Sequence, residues 1–273
     1  MPRLRLLLPA LLLAAAGCGD DSSTAPDNSG VNITNDVVVA SSDLLRGDLT
    51  LLGLNEGTAS LSVAPAAAAL FPVSLQTSGS GCTYDAASGR YSCPAGAEGE
   101  LTVTRSYRYQ DATGAAQPAY NAATTAAINF ATSAFGQHTG EAVVGSVVRA
   151  RNVTVSGLAG SETERTWNGS GSDSLDVEVF GATITRRYIL RSTVAMINVI
   201  YALPRSSNPY PSSGQVQYDV HVTQTADGAQ PVSRTATRRV TITFNGTAAV
   251  PLTVGLLGCT LYLDTRGVAC GQL

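Results

Sequence analysis

The chain has 273 residues, a formal net charge of −3 and hydrophobic residues at 44% of positions, enough for one large domain or two small ones. Its 17 basic residues are all arginine and form no run, which argues against nucleic acid as a partner. The absence of lysine excludes a phosphate-binding Gly-x-x-x-x-Gly-Lys loop, a Schiff base and a Ser-Lys dyad, and there is no Gly-x-Ser-x-Gly or His-Glu-x-x-His motif.

In chain order, MPRLR is followed by an apolar run from Leu6 to Gly17 that ends at Cys18, the pattern of a secretory signal peptide. Those twelve residues reach about 18 Å as a helix, against roughly 30 Å of membrane hydrocarbon, and Pro9 interrupts them. Ala15, Ala16 and Gly17 directly before Cys18 resemble the lipobox of bacterial lipoproteins, with Ala15 where that family usually carries a large aliphatic residue. The resemblance covers only these first residues. It implies that the Cys18 thiol receives a diacylglyceryl group, that cleavage leaves Cys18 at the N-terminus, and that the chain is lipid-anchored outside the cytoplasm, in the cell envelope. Gly19, rather than aspartate, after the cysteine favours the outer membrane. The alternative is an ordinary secreted protein with a cysteine near its cleavage site. Residues 18–34, beginning CGDDSSTAPDNSG, are too polar to fold alone and read as a flexible tether. The remaining residues, 35–273, read as a single extracytoplasmic domain.

At the start of that domain, NDVVVASSDLLRGDLTLLG, 35–53, is expected to lie across a sheet, helical after a Ser/Asp cap. Cys82 and Cys93 bracket one Asp/Gly turn, and Cys259 and Cys270 bracket another at the same separation. A hairpin about each turn, its glycine left-handed, brings the cysteines opposite one another, so disulfides Cys82–Cys93 and Cys259–Cys270 are expected in an oxidising compartment. Neither a CxxC redox motif nor zinc-ligand spacing is present.

From Glu100 onward apolar and polar residues alternate. Leu101, Val103, Tyr107 and Tyr109 share one face, as do Leu175, Val177 and Val179, then Val216, Tyr218, Val220 and Val222, then Val240, Ile242 and Phe244. AATTAAINFATSAF, 122–135, reads as a strand. Turns are expected at 111–114, 167–172, 180–182, 226–228 and 244–246, with Asn168-Gly169 and Asn245-Gly246 as hairpin turns. VAMINVIYAL, 194–203, is apolar on both faces and reads as a strand covered on both sides. The expected fold is all-β: an antiparallel meander of hairpins forming a two-layer sandwich or a strongly curved sheet, with little helix.

Residues that could carry chemistry are few. His221 shares a face with Asp219, and His138 lies in FGQHTGE, read as a loop; no serine on a sharp turn completes a triad. Asp176 with Glu178, and Glu162 with Glu164, are spaced to face one way on a strand, as a carboxylate hydrolase requires. Arginines 105, 108, 149, 151, 186, 187, 238 and 239 lie on neighbouring strands, and cross-strand pairing with acids is the simpler account. Tyr210, in the proline-rich loop 204–214, is the one exposed aromatic singled out for binding. No catalytic residue, metal ligand or cofactor is assigned. The expectation is a lipid-anchored, non-enzymatic binding or structural module of unidentified ligand or protein partner. A carrier of lipid or another apolar ligand, with strand 194–203 lining a cavity, is the alternative; a carboxylate-based hydrolase is a weaker one.

Overall fold

The computed structural model describes residues 81–271, apart from 99, 140–142, 181–184, 227–231 and 266, together with six residues between 37 and 48. Cys18, the tether and the apolar run before it lie outside the described residues.

Thirteen strands form one antiparallel sheet that does not close on itself. They begin with β1 (Thr83–Asp85), β2 (Arg90–Glu98), β3 (Leu101–Gln110) and the short β4 (Ala116–Gln117), which pairs only with β3. The long central strands are β5 (Ala127–Thr139), β6 (Val143–Ser156), β7 (Glu164–Phe180), β8 (Thr185–Ala202), β9 (Ser213–Ala226) and β10 (Val232–Thr243). The sheet finishes with β11 (Ala249–Val254), β12 (Leu257–Tyr262) and β13 (Val268–Gly271). Apart from β4, each strand pairs with the next in sequence, which makes the sheet a meander. This is the expected all-β fold in its single-sheet form.

One face of this sheet is the core. Leu101, Val103 and Tyr107 on β3, Val147 and Val153 on β6, Val216 to Val222 at alternate positions on β9, Val240 and Ile242 on β10, and Leu252 on β11 are all buried. The same face is dry from β3 to β12. Val37, Val38, Ser41, Leu44, Leu45 and Asp48 are helical, and their spacing places them on one face of a helix. All six are buried, and Leu44 and Leu45 belong to the same core as the strands. The expected helical cover is therefore present at these positions.

Both cysteine pairs are bonded, Cys82–Cys93 and Cys259–Cys270, with S–S distances of 2.05 and 2.06 Å. Cys259 and Cys270 stand directly opposite in the β12–β13 ladder. The first hairpin turns as expected, with Gly89 at φ 63°, and Asp85 accepting hydrogen bonds from the Ala87 N–H and the Ser88 hydroxyl. In the second, Gly267 does not take a left-handed φ; its carbonyl accepts from the Tyr262 N–H instead.

Three expectations are corrected. Residues 167–172 form no hairpin turn but run through the middle of β7. Gly169 and Gly171 stand opposite Val153 and Arg151. A Cβ at Gly171 would lie 2.3 Å from the Ala150 carbonyl oxygen and 2.6 Å from the Arg151 side chain, so these glycines allow close strand approach rather than a turn. Second, 194–203 is covered on one face only. Val194, Met196, Val199 and Tyr201 are buried, whereas Ile197 is 39% exposed. The ladder with β9 shifts register between Ile197 and Ile200, and Asn198 there takes φ 47°. That bulge switches the inward positions from even to odd numbers, so the segment reads as apolar on both faces when its two halves are read in one phase. Third, His138 lies in β5, opposite Gly145, and not in a loop. Within 122–135, β5 begins only at Ala127; residues 111–114 and 244–246 turn as expected, with Gly114 and Gly246 at positive φ. The turns at 180–182 and 226–228 fall between paired strands, but residues 181, 182, 227 and 228 lie outside the described residues.

Candidate functional site

The most concentrated chemistry lies beneath the helical residues. Arg149 and Arg151 are two apart on β6 and so share the inner face with Val147 and Val153. Asp173 on β7 stands opposite Arg149, and Ser192 on β8 stands opposite Asp173. Asp48 reaches this group from the helical segment. Arg151 Nε donates to Asp48 Oδ1 at 2.6 Å, and its Nη2 donates to both Asp173 oxygens at 2.9 Å. Arg149 Nη2 pairs with Asp48 as well and donates to the Leu44 carbonyl at 3.2 Å. Tyr218, from β9, donates its hydroxyl hydrogen to Asp48 Oδ2 at 2.6 Å, and Ser192 donates to Asp173 at 3.0 Å. No member is more than 5% exposed.

Two carboxylates and two guanidiniums balance in charge, which makes such burial tolerable. Burial alone would push the Asp48 carboxyl up, but the charges of Arg149 and Arg151 and the hydrogen bonds from Arg151 and Tyr218 outweigh it, holding the group below its ordinary value. Burial, reinforced by the Asp48 charge, pushes the Tyr218 phenol well above its ordinary value. Burial acts against the charged Arg151 guanidinium, but Asp48 and Asp173 overcome it and keep that group protonated more firmly than usual. The Asp48 carboxyl and the Tyr218 phenol are thus pushed apart, each away from neutrality, and every member of the cluster is buried. Its chemistry is attachment: it fixes the helical segment to β6 and β9, with Asp173 of β7 and Ser192 of β8 completing the network.

Of the two acid pairs considered for hydrolysis, one member of each is bound by an arginine. Asp176 and Glu178 do share the outer face of β7, but Arg187 binds Asp176 through two hydrogen bonds of 2.8 and 2.6 Å. Glu162 precedes β7 and pairs with Arg165 at 2.6 Å, so it does not share a strand with Glu164. Asp219 accepts from Arg239 at 2.8 Å. The cross-strand pairing with those two acid pairs, read from the sequence, thus holds for Arg187; Arg239 pairs across strands with Asp219 instead, and Arg149 and Arg151 pair across β6–β7 with Asp173 in the core. His221 is exposed, with Nδ1 2.9 Å from the Thr237 hydroxyl. It borders an open outer-face cleft of about 450 Å³ with Ser172, Ser174, Arg191, Thr193 and Asp219. No serine hydroxyl bonds to His221, so no charge-relay geometry forms there among the described residues.

The loop carrying Tyr210 is tied down. Its Leu203–Pro204 bond is cis, Ser212 N–H donates to the Ile200 carbonyl at 2.7 Å, and Gly246 N–H donates to the Pro211 carbonyl at 2.8 Å. Tyr210 is half-buried. A larger aromatic surface was missed in the sequence: Tyr84, Tyr91, Tyr107, Tyr109 and Tyr120 form a continuous group with ring centroids 4.8 to 6.0 Å apart. Tyr107-x-Tyr109 was legible as one face of a strand, but the others join only through strand register and the loop after β4. The Asp48 cluster also left a signal, because Arg149 and Arg151 fall in phase with Val147 and Val153.

No protein-family model matches the chain, and the searches of curated proteins and of solved structures found no match either.

Proposed function

We propose that this chain is a lipid-anchored protein of the bacterial cell envelope whose β domain is a non-enzymatic binding or structural module. The anchor reading rests on the signal-like N-terminus, the small residues before Cys18 and the polar tether after it, and two disulfides accord with an oxidising compartment. Gly19 favours the outer membrane. The observation that carries the module reading is the inner face: its described apolar residues pack against helical residues of the chain itself, and the charged groups among them are spent on attachment. An acyl chain or similar ligand on that face would have to displace the helical segment and break the Asp48 ion pairs.

The anchor is tested by replacing Cys18. Cys18→Ser should move the protein from the membrane fraction to the soluble extracytoplasmic fraction, because the remaining chain has no acyl group to hold it. Persistence of the variant in the membrane fraction after a high-salt wash would refute the lipid anchor.

A further inference from the structure

On the outer face, where β2 meets β3, two arginines meet without an acid among the described residues. Tyr91 pairs with Tyr107, and one step along the ladder Arg90 comes beside Arg108. Like charges facing across neighbouring antiparallel strands destabilise the pair. Asp85 stands opposite Arg90 in the β1–β2 ladder, but its carboxylate is turned into its own hairpin, where it accepts from Ala87 and Ser88. Arg90 instead lies over β3: Nε and Nη2 donate to the Ser106 hydroxyl at 3.3 and 3.1 Å, and Nη1 donates to Asn129 Oδ1 at 2.7 Å. Asn129 is itself held, donating to Asn152 at 2.7 Å and to Thr154 at 3.0 Å. Burial, and then the charge of Arg108, pull the Arg90 guanidinium below its ordinary value. Arg108 makes no hydrogen bond or ion pair with any described residue, and its Nε is buried without an acceptor.

One guanidinium is thus locked in place by neutral acceptors, and beside it a second keeps its donors unspent. We propose that Arg90 and Arg108 form a binding site for a phosphate- or sulfate-type oxyanion, with Arg108 as the arm that closes on it and Arg90 as the fixed charge. A tetrahedral oxyanion supplies the countercharge that this arginine pair lacks among the described residues and the acceptor that Arg108 Nε lacks, and guanidinium forks match such oxygens bidentately. The anion has two sources, a free ion or the headgroup of an anionic phospholipid. The site depends on neither the lipid anchor nor the absence of catalysis.

The test is equilibrium dialysis of the full chain in neutral detergent against labelled inorganic phosphate at fixed ionic strength, with a parallel arm comparing binding to phosphatidylglycerol and phosphatidylcholine micelles. Wild type should bind one equivalent of phosphate saturably, and Arg108→Gln should weaken binding at least about tenfold, the scale of one charge-assisted contact. Arg239→Gln, which removes an outer-face arginine already paired with Asp219, should bind as wild type. Preference for phosphatidylglycerol that Arg108→Gln abolishes, with no uptake of free phosphate, would support the same site and identify the headgroup as the source. Absence of saturable binding in both arms, or equal binding by wild type and Arg108→Gln, would overturn the site. Thermal unfolding in anion-free buffer controls for folding: Arg108→Gln should melt no lower than wild type, since it removes a like-charge contact.

Discussion

Asp48→Ala should lower the unfolding free energy by about 3–5 kcal/mol, the cost of breaking a buried ion pair and leaving a charge uncompensated. Both guanidiniums that Asp48 binds are buried, and Asp173 alone cannot neutralise Arg149 and Arg151 together. The substitution also orphans the buried Tyr218 hydroxyl and loosens the helical segment from β6 and β9. Against a typical total of about 5–15 kcal/mol, that loss leaves a domain unfolding at much lower denaturant. Urea titration followed by circular dichroism measures it as a shifted midpoint. A variant within about 1 kcal/mol of wild type would mean that Asp48 does not hold the helix. The same group sets a pH dependence. Its folded-state pKa lies below the ordinary 3.8, so the folded chain holds fewer protons than the unfolded chain in that range. The contribution is complete above about pH 5 and is lost as pH falls through the folded value. Asp48→Asn should therefore show a shallower loss of stability on acidification than wild type.

Removing either disulfide should cost roughly 3 kcal/mol in the chain-entropy model, since each closes a loop with a sequence separation of 11. The effect should be concentrated at the sheet edges. β1 has 3 residues and β13 has 4, too few for the ladder alone to hold them. Replacing Cys259 and Cys270 by alanine should release β13 and expose β12 as a longer open edge, which invites pairing between molecules. Hydrogen exchange read by mass spectrometry should show faster exchange at β12–β13, with the central strands β6–β9 unchanged. Free thiols at these positions in the oxidised protein would contradict the pairing, and an unchanged exchange pattern would contradict the role of the bridge at the edge.

How much of this was legible depended on the range of the cause. Strict alternation in β9 and β10 identifies the core face, because each side chain there meets only the demand of one wet and one dry surface. The hairpin cysteines were legible because turn and partner lie within a dozen residues. Asn168-Gly169 misled for the opposite reason. A local turn signal was overridden by packing, as the glycines clear space for Val153 and Arg151 on the next strand. The bulge at Asn198 hid the phase of β8, because no local rule marks where alternation switches. The Asp48 cluster needed contacts between residues about a hundred positions apart, and the phase of Arg149 and Arg151 was its only trace. Arg108 looked like any other strand-face arginine; that no described acid pairs with it follows only from the strand register, which sets it between Arg90 and Asn129, and from Asp85 turning into its own hairpin.

The most direct test of the account is native mass spectrometry of the full-length protein, extracted from membranes in mild detergent. It predicts one species: a chain beginning at Cys18, carrying acyl mass on that residue, with no stoichiometric apolar molecule released on activation. An additional lipid lost on collisional heating would contradict the account, showing that the inner face of the sheet holds a ligand and not only the chain's own helix.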